Sequence, residues 1–394
     1  MDLDAIQSSL QKHNMDGYLF YDFHGRDILA YRILGIDNPH YTRRWFYFIP
    51  AKGTPHKVVS PVEPYVLDMI PGEKHIVLKW EDLHATLKSI LSGHYKIAMH
   101  YSPMGDVPYV SIIDGGTLDL IRSFGVEVVS AQDLIQEFEG LVTEKMFESY
   151  KQAGPIMHQI TQDGFDEIGR RIQANETVTE YDIHKFIQKK YRENGLITDM
   201  SPIVGVNEHA ADPHYVPLKK SSTIKNGDLL LIDSWAKLKG DDSVYVDITR
   251  MAFVGEDIPP RIQEIWDVVK EARDIAIKFE TEKLESGESC AGWEVDQIAR
   301  NFVEDQGFGK FFSHRLGHSI GRETHGNAVN LDSLETKDTR SLGPLVLHSI
   351  EPGIYIPEEK IGIRSEVNVY ITSERKVIVT GPKQEEIYKI KIQS

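Results

Sequence analysis

The chain has 394 residues, 41% of them hydrophobic and 26% charged, which is ordinary for a folded protein and more than one core usually serves. Its formal net charge of −16 repels nucleic acid and anionic lipid, so neither is expected as a main partner. A single cysteine, Cys290, excludes an internal disulfide and reads as an incidental thiol in the polar stretch Glu288-Ser289-Cys290-Ala291.

The first twenty residues lack the basic start and apolar centre of a secretory signal, and no apolar run approaches bilayer length. A cytoplasmic location is the expectation. Residues 5–13 have helical spacing at Ile6 and Leu10, and residues 17–22 form a short apolar and aromatic run. Further strands are expected at 44–50, 75–80, 96–99 and 126–130. Strands alternating with helices predict an α/β domain over residues 1–140. Near residue 140 the texture changes. Met146, Phe147, Tyr150 and Ala153 recur at helical spacing. Thr177-Val178-Thr179-Glu180 reads as a capping box, with Ile183, Phe186, Ile187 and Tyr191 on one face and Gly195 closing the helix. Two more amphipathic helices run through Ile262, Ile265, Trp266, Val269 and Phe279, and through Trp293, Val295, Ile298 and Phe302. Strands are expected at 229–232, 244–248, 345–350 and 361–370. His158 and His184 read as surface residues of helices, and His209 as a loop residue.

Acidic residues occupy several of these strands. Asp233 follows the apolar run Leu229-Leu230-Leu231-Ile232, and Asp247 sits in Val244-Tyr245-Val246-Asp247-Ile248. A hairpin over 237–242 would let the two face each other across the ladder. Glu351 follows Val346-Leu347-His348-Ser349-Ile350, and Glu366 follows Gly362-Ile363-Arg364-Ser365, with Arg364 on the same strand face. Four buried carboxylates repel unless cations offset their charge. Hard divalent cations take oxygen ligands, and paired metals need bridging carboxylates. His314, His318 and His325 lie within twelve residues, separated by glycines, and can add nitrogen.

These motifs resemble the five-ligand signature of the pita-bread metallopeptidases, the clan of methionine aminopeptidase, aminopeptidase P, prolidase and creatinase. The matching stretches are Leu231-Ile232-Asp233, Val246-Asp247-Ile248-Thr249-Arg250, His314-x-x-Gly317-His318-x-x-Gly321-x-x-x-His325, Glu351-Pro352-Gly353-Ile354-Tyr355 and Arg364-Ser365-Glu366. The resemblance implies an α+β pita-bread catalytic domain over 141–394, behind a creatinase-like α/β domain over 1–140. It implies two divalent ions, manganese first and otherwise cobalt, zinc or iron, held by Asp233, Asp247, His318, Glu351 and Glu366. It further implies hydrolysis of Xaa-Pro bonds in dipeptides or short peptides by a metal-bridging hydroxide. Glu351 would shuttle a proton, His214 or His325 would stabilise the oxyanion, and Arg364 would help hold substrate. Asn207 matches the family's asparagine. A homodimer is implied as well.

Two departures bear on substrate. Trp235 stands where the family usually has glycine, and Gly326 follows His325 where an acidic residue is common. Three rivals carry other expectations. Gly317-His318-Ser319-Ile320-Gly321 spells the serine-hydrolase elbow, with Asp332 and His348 following in order. A non-catalytic binding scaffold, or a metal-dependent non-peptide hydrolase or lyase, would use the same fold.

Overall fold

The structure is a computed structural model that describes residues 1–36 and 41–392. It divides into two compact units, Met1–Gly140 and Leu141–Ser394.

The N-terminal unit is built on one mixed sheet. Its strands are β1 (Gly17–Asp22), β2 (Trp45–Pro50), β3 (His56–Val59), β4 (Glu73–Ile76), β5 (Lys96–Met99) and β6 (Glu127–Ser130), in the order β4-β3-β2-β1-β5-β6. Alternate residues face opposite sides of a strand. Tyr18, Phe20, Trp45, Tyr47 and Ile49 therefore enter one core, while Leu19, Phe46 and Phe48 enter another. With both faces apolar the sheet needs cover on both sides, as an α/β layer requires. The strand expected at 75–80 is shorter and earlier, because Trp80 already opens the helix Trp80–Ile90.

The C-terminal unit is α+β. Helices Glu144–Gln173 and Glu180–Glu193 precede β7 (Leu196–Ile197), β8 (Ile203–Val206), β9 (Leu229–Leu238) and β10 (Val246–Val254). Helices Pro260–Glu285 and Gly292–Asp305 follow, then β11 (Leu347–Ile350), β12 (Gly353–Ile356), β13 (Ile361–Arg364), β14 (Val367–Ile371), β15 (Val377–Val379) and β16 (Tyr388–Ile390). The strand expected at 361–370 is interrupted at Ser365 and Glu366, so β13 pairs with β12 and β14 with β11. The helix Glu144–Gln173 presents Phe147, Tyr150, Met157, Ile160 and Gly164 and packs on β9 and β10. Its first turn is capped by Thr143, whose side chain accepts the Met146 N–H.

The capping box shifts by two residues from the expected one. Thr179 caps the next helix with Asp182: the Asp182 N–H donates to Thr179 Oγ1 at 3.2 Å and the Thr179 N–H to Asp182 Oδ2 at 2.9 Å. Glu180 turns inward instead, fully buried, because four donors await it: Val206 N–H, Ser222 N–H, His209 Nδ1 and the Tyr215 hydroxyl. His184 is likewise buried rather than exposed, with Nδ1 against the Pro202 carbonyl at 2.8 Å, and His158 is half-buried beside Arg250. Among the described residues, no helix is long and apolar enough to cross a membrane.

Candidate metal centre

The antiparallel pairing of β9 and β10 sets Asp233 opposite Thr249 and Asp247 opposite Trp235. The two aspartates therefore share a face of the ladder on a diagonal, not directly opposite as a symmetric hairpin would place them. His318 comes from a loop that runs along β11. Its N–H donates to Ser349 Oγ at 2.9 Å, the Ser349 N–H returns to the His318 carbonyl at 2.9 Å, and the Glu351 N–H reaches Leu316 O at 2.8 Å. This pairing delivers His318 and Glu351 to one place: His318 Nε2 lies 3.3 Å from Glu351 Oε1 and 3.4 Å from Asp247 Oδ2. Glu366, in the break between β13 and β14, joins from the other side. Donor atoms of Asp247, His318 and Glu366 all fall within 4.8 Å of one another.

Asp233, Asp247, His318 and Glu366 are buried, whereas Glu351 keeps partial exposure. Asp233 Oδ1 and Glu366 Oε1 have no hydrogen-bond partner, a costly state for buried carboxylate oxygens that a cation between them would relieve. Electrostatics agree. Burial, then repulsion from the neighbouring carboxylates, pushes Asp247 and Glu366 well above the carboxylate range. Burial also raises Asp233, against the pull of Arg364. Glu351 is held low: burial works against its charge, but His318 and Arg364 outweigh it. Four carboxylates and one imidazole, with two oxygens left bare, are a donor set that divalent cations fit.

Several unexpected residues hold this set in place. Thr249 Oγ1 donates to Glu366 Oε2 at 2.8 Å and accepts from Arg364 Nε at 2.8 Å. Asn368 Oδ1 accepts the Asp247 N–H at 3.0 Å, and Ser349 Oγ donates to Glu351 Oε1 at 3.1 Å. A period-two signal was available for Thr249, two residues beyond Asp247, and for Asn368, two beyond Glu366. Asp296 had no such signal. It pairs with Arg300 at 2.9 Å and accepts the Leu316 N–H at 2.8 Å, while Arg300 holds the Phe312 and His314 carbonyls, so helix Gly292–Asp305 fixes the approach to His318.

The remaining expected residues are placed unequally. His325 stands at the rim, exposed and edge-on to His318 with ring centroids 4.4 Å apart. Chiefly repulsion from His318 pushes it down to about 3, so it is neutral. Arg364 faces the carboxylates: it bonds Asp233, Thr249 and, at 3.2 Å, the Tyr355 hydroxyl. It is buried and engaged within the cluster. His314 Nδ1 donates to the Arg315 carbonyl at 2.6 Å, so its Nε2 accepts from the Tyr355 hydroxyl at 2.9 Å. His214 is exposed on the 212–220 loop, and its N–H caps onto Asp212 Oδ1 at 3.1 Å. Asn207 is spent on the fold, with its amide bonded to Asp228 and to the Leu229 N–H. Trp235 is buried beside the site, its Nε1–H donating to Asp199 Oδ1 at 3.2 Å.

The serine-hydrolase rival fails on geometry. Ser319 is fully buried, with Oγ accepting the Ala328 N–H at 3.1 Å. Asp332 caps the turn at 334–336, and His348 Nε2 faces Glu280 at 2.9 Å, so no triad forms. Cys290 is buried and its thiol is pushed up to about 12 by that burial, which leaves it inert.

The fold and the carboxylate–histidine cluster define a metallopeptidase of the pita-bread class. The chain belongs to metallopeptidase family M24, whose family profile matches residues 155–373. A Schizosaccharomyces pombe protein described as an uncharacterised peptidase is 32% identical over 217 residues, 54% of this chain and 44% of that relative. The chain thus spans less than half the length of that relative. Among solved structures, a prolidase from Pyrococcus horikoshii OT3 superposes with a TM-score of 0.64 at 22% identity, covering 98% of this chain and 99% of its own. Dipeptidase PepE from Mycobacterium ulcerans reaches 0.70 at 21% identity, covering 98% and 96%. These likenesses show the fold, an N-terminal domain preceding the pita-bread domain.

Proposed function

We propose that this chain is a metal-dependent peptidase that cleaves the Xaa-Pro bond of dipeptides or short peptides. The observation that carries the metal dependence is the pair of bare, buried carboxylate oxygens, Asp233 Oδ1 and Glu366 Oε1, beside His318. Two divalent cations, manganese first, would be held by Asp233, Asp247, His318, Glu351 and Glu366. They would polarise the scissile carbonyl and lower the pKa of an attacking water. Glu351 keeps partial exposure and Ser349 orients it, so it would take the proton from that water and pass it to the leaving nitrogen. Neutral His325 at the rim, with His214 on its exposed loop, offers an N–H to the developing oxyanion. Arg364 keeps Asp233 and, through Thr249, Glu366 in position. Proline specificity is supported by the prolidase likeness of the whole chain.

The test is hydrolysis of Xaa-Pro dipeptides, Xaa-Pro-Yaa tripeptides and matched non-proline peptides, each with Mn²⁺ and with EDTA. Metal-dependent cleavage confined to Xaa-Pro is expected, and the dipeptide-to-tripeptide ratio separates dipeptidase from aminopeptidase. Protein that binds two metals yet cleaves none of these peptides would sink the proposal.

A further inference from the structure

The N-terminal unit carries a cluster that the peptidase reading leaves unused. Strands β3 and β4 pair in parallel with His56 opposite Glu73 and Val58 opposite His75. That register places His56, Glu73 and His75 on one face at the sheet edge, since partners two residues apart share a side. His56 Nδ1 lies 3.2 Å from His75 Nε2. The two oxygens of Glu73 divide between them, Oε2 at 3.8 Å from His56 Nδ1 and Oε1 at 3.9 Å from His75 Nε2. Both carboxylate distances are too long for hydrogen bonds.

We propose that His56, Glu73 and His75 form a second metal site, for a borderline divalent cation of the zinc, nickel or copper type. Ligand bonds of about 2.0–2.2 Å put the donors of a tetrahedral or octahedral site roughly 3.0–3.5 Å apart. The observed 3.2, 3.8 and 3.9 Å need only a small side-chain rotation to meet that spacing. Two imidazoles and one carboxylate select such ions over magnesium or calcium, and three protein ligands leave open positions. The histidines are half-buried while Glu73 is exposed, so the ion can enter from solvent.

The test uses the full chain, dialysed to equilibrium against Zn²⁺, with bound metal counted by mass spectrometry. The His56→Ala/His75→Ala variant is expected to hold one zinc per chain fewer than the wild type, with unchanged peptidase kcat/KM. Equal zinc counts would overturn the proposal. Crystals of the wild-type chain soaked in Zn²⁺ give an answer free of any variant. An anomalous peak between His56 and His75 supports the site, and none there at full occupancy of the peptidase centre refutes it.

Discussion

Thr249→Val tests whether the cluster is held by its neighbours or only by its ions. The substitution keeps the shape of the side chain and removes one hydroxyl. That hydroxyl is fully buried, donates to Glu366 Oε2 at 2.8 Å and accepts from Arg364 Nε at 2.8 Å. Glu366 Oε1 has no partner, so the variant leaves both oxygens of a buried carboxylate bare. Each buried partner left unpaired costs about 1–3 kcal/mol. With Glu366 Oε2 and Arg364 Nε both stranded, the metal-free variant should unfold about 2–6 kcal/mol more easily in urea. Groups that orient metal ligands are typically worth 10–100-fold in metal affinity, about 1.4–2.8 kcal/mol. Isothermal titration with Mn²⁺ should show a loss in that range, with peptide hydrolysis at saturating metal reduced but measurable. Wild-type metal affinity together with wild-type unfolding would refute the claim that Thr249 fixes Glu366 and Arg364.

Other perturbations follow from the same geometry. Chelation with EDTA should abolish hydrolysis and lower the unfolding temperature, because the bare carboxylates then repel; Mn²⁺ should restore both, and an unchanged melting curve would contradict the role given to the cations. Asp296→Ala strands buried Arg300 and releases the Leu316 N–H, and is expected to destabilise the chain by about 3–5 kcal/mol in chemical denaturation. Gly317→Ala should cost at least about 2 kcal/mol and weaken metal binding, since a Cβ there would meet the Ser349 carbonyl at 2.0 Å and push His318 away from β11. His158 supplies a pH signature. Burial, then Arg250, lowers it from 6.5 to about 4, so below 6.5 the unfolded chain takes up a proton that the folded chain refuses. Its contribution is fully present above pH 6.5 and is lost as pH falls toward about 4. Relative to His158→Gln, the wild type should lose up to about 3 kcal/mol across that window, and a pH-independent difference between the two would exclude it.

Much of this protein is written locally. The continuous apolar and aromatic run at 17–22 and the helical spacing of Phe147 and Tyr150 identify their elements without any tertiary information. The carboxylates of the candidate centre stood out for a similar reason, because Asp233 closes the apolar run Leu229-Leu230-Leu231-Ile232 and Asp247 sits between Val246 and Ile248. Sequence also singled out His314, His318 and His325 as a cluster, and the resemblance to the pita-bread metallopeptidases picked His318 among them. What sequence could not decide was register and non-local partnership. The diagonal of Asp233 and Asp247 depends on which residues pair across the turn. The break at Ser365 and Glu366 depends on β13 and β14 having different partners. The inward turn of Glu180 depends on four donors brought from the 206–222 segment, and the engagement of Arg364 depends on Thr249, 115 residues away. Such choices are set by which buried polar groups meet at the end of folding, and each group can be satisfied only by a neighbour that the linear order does not reveal.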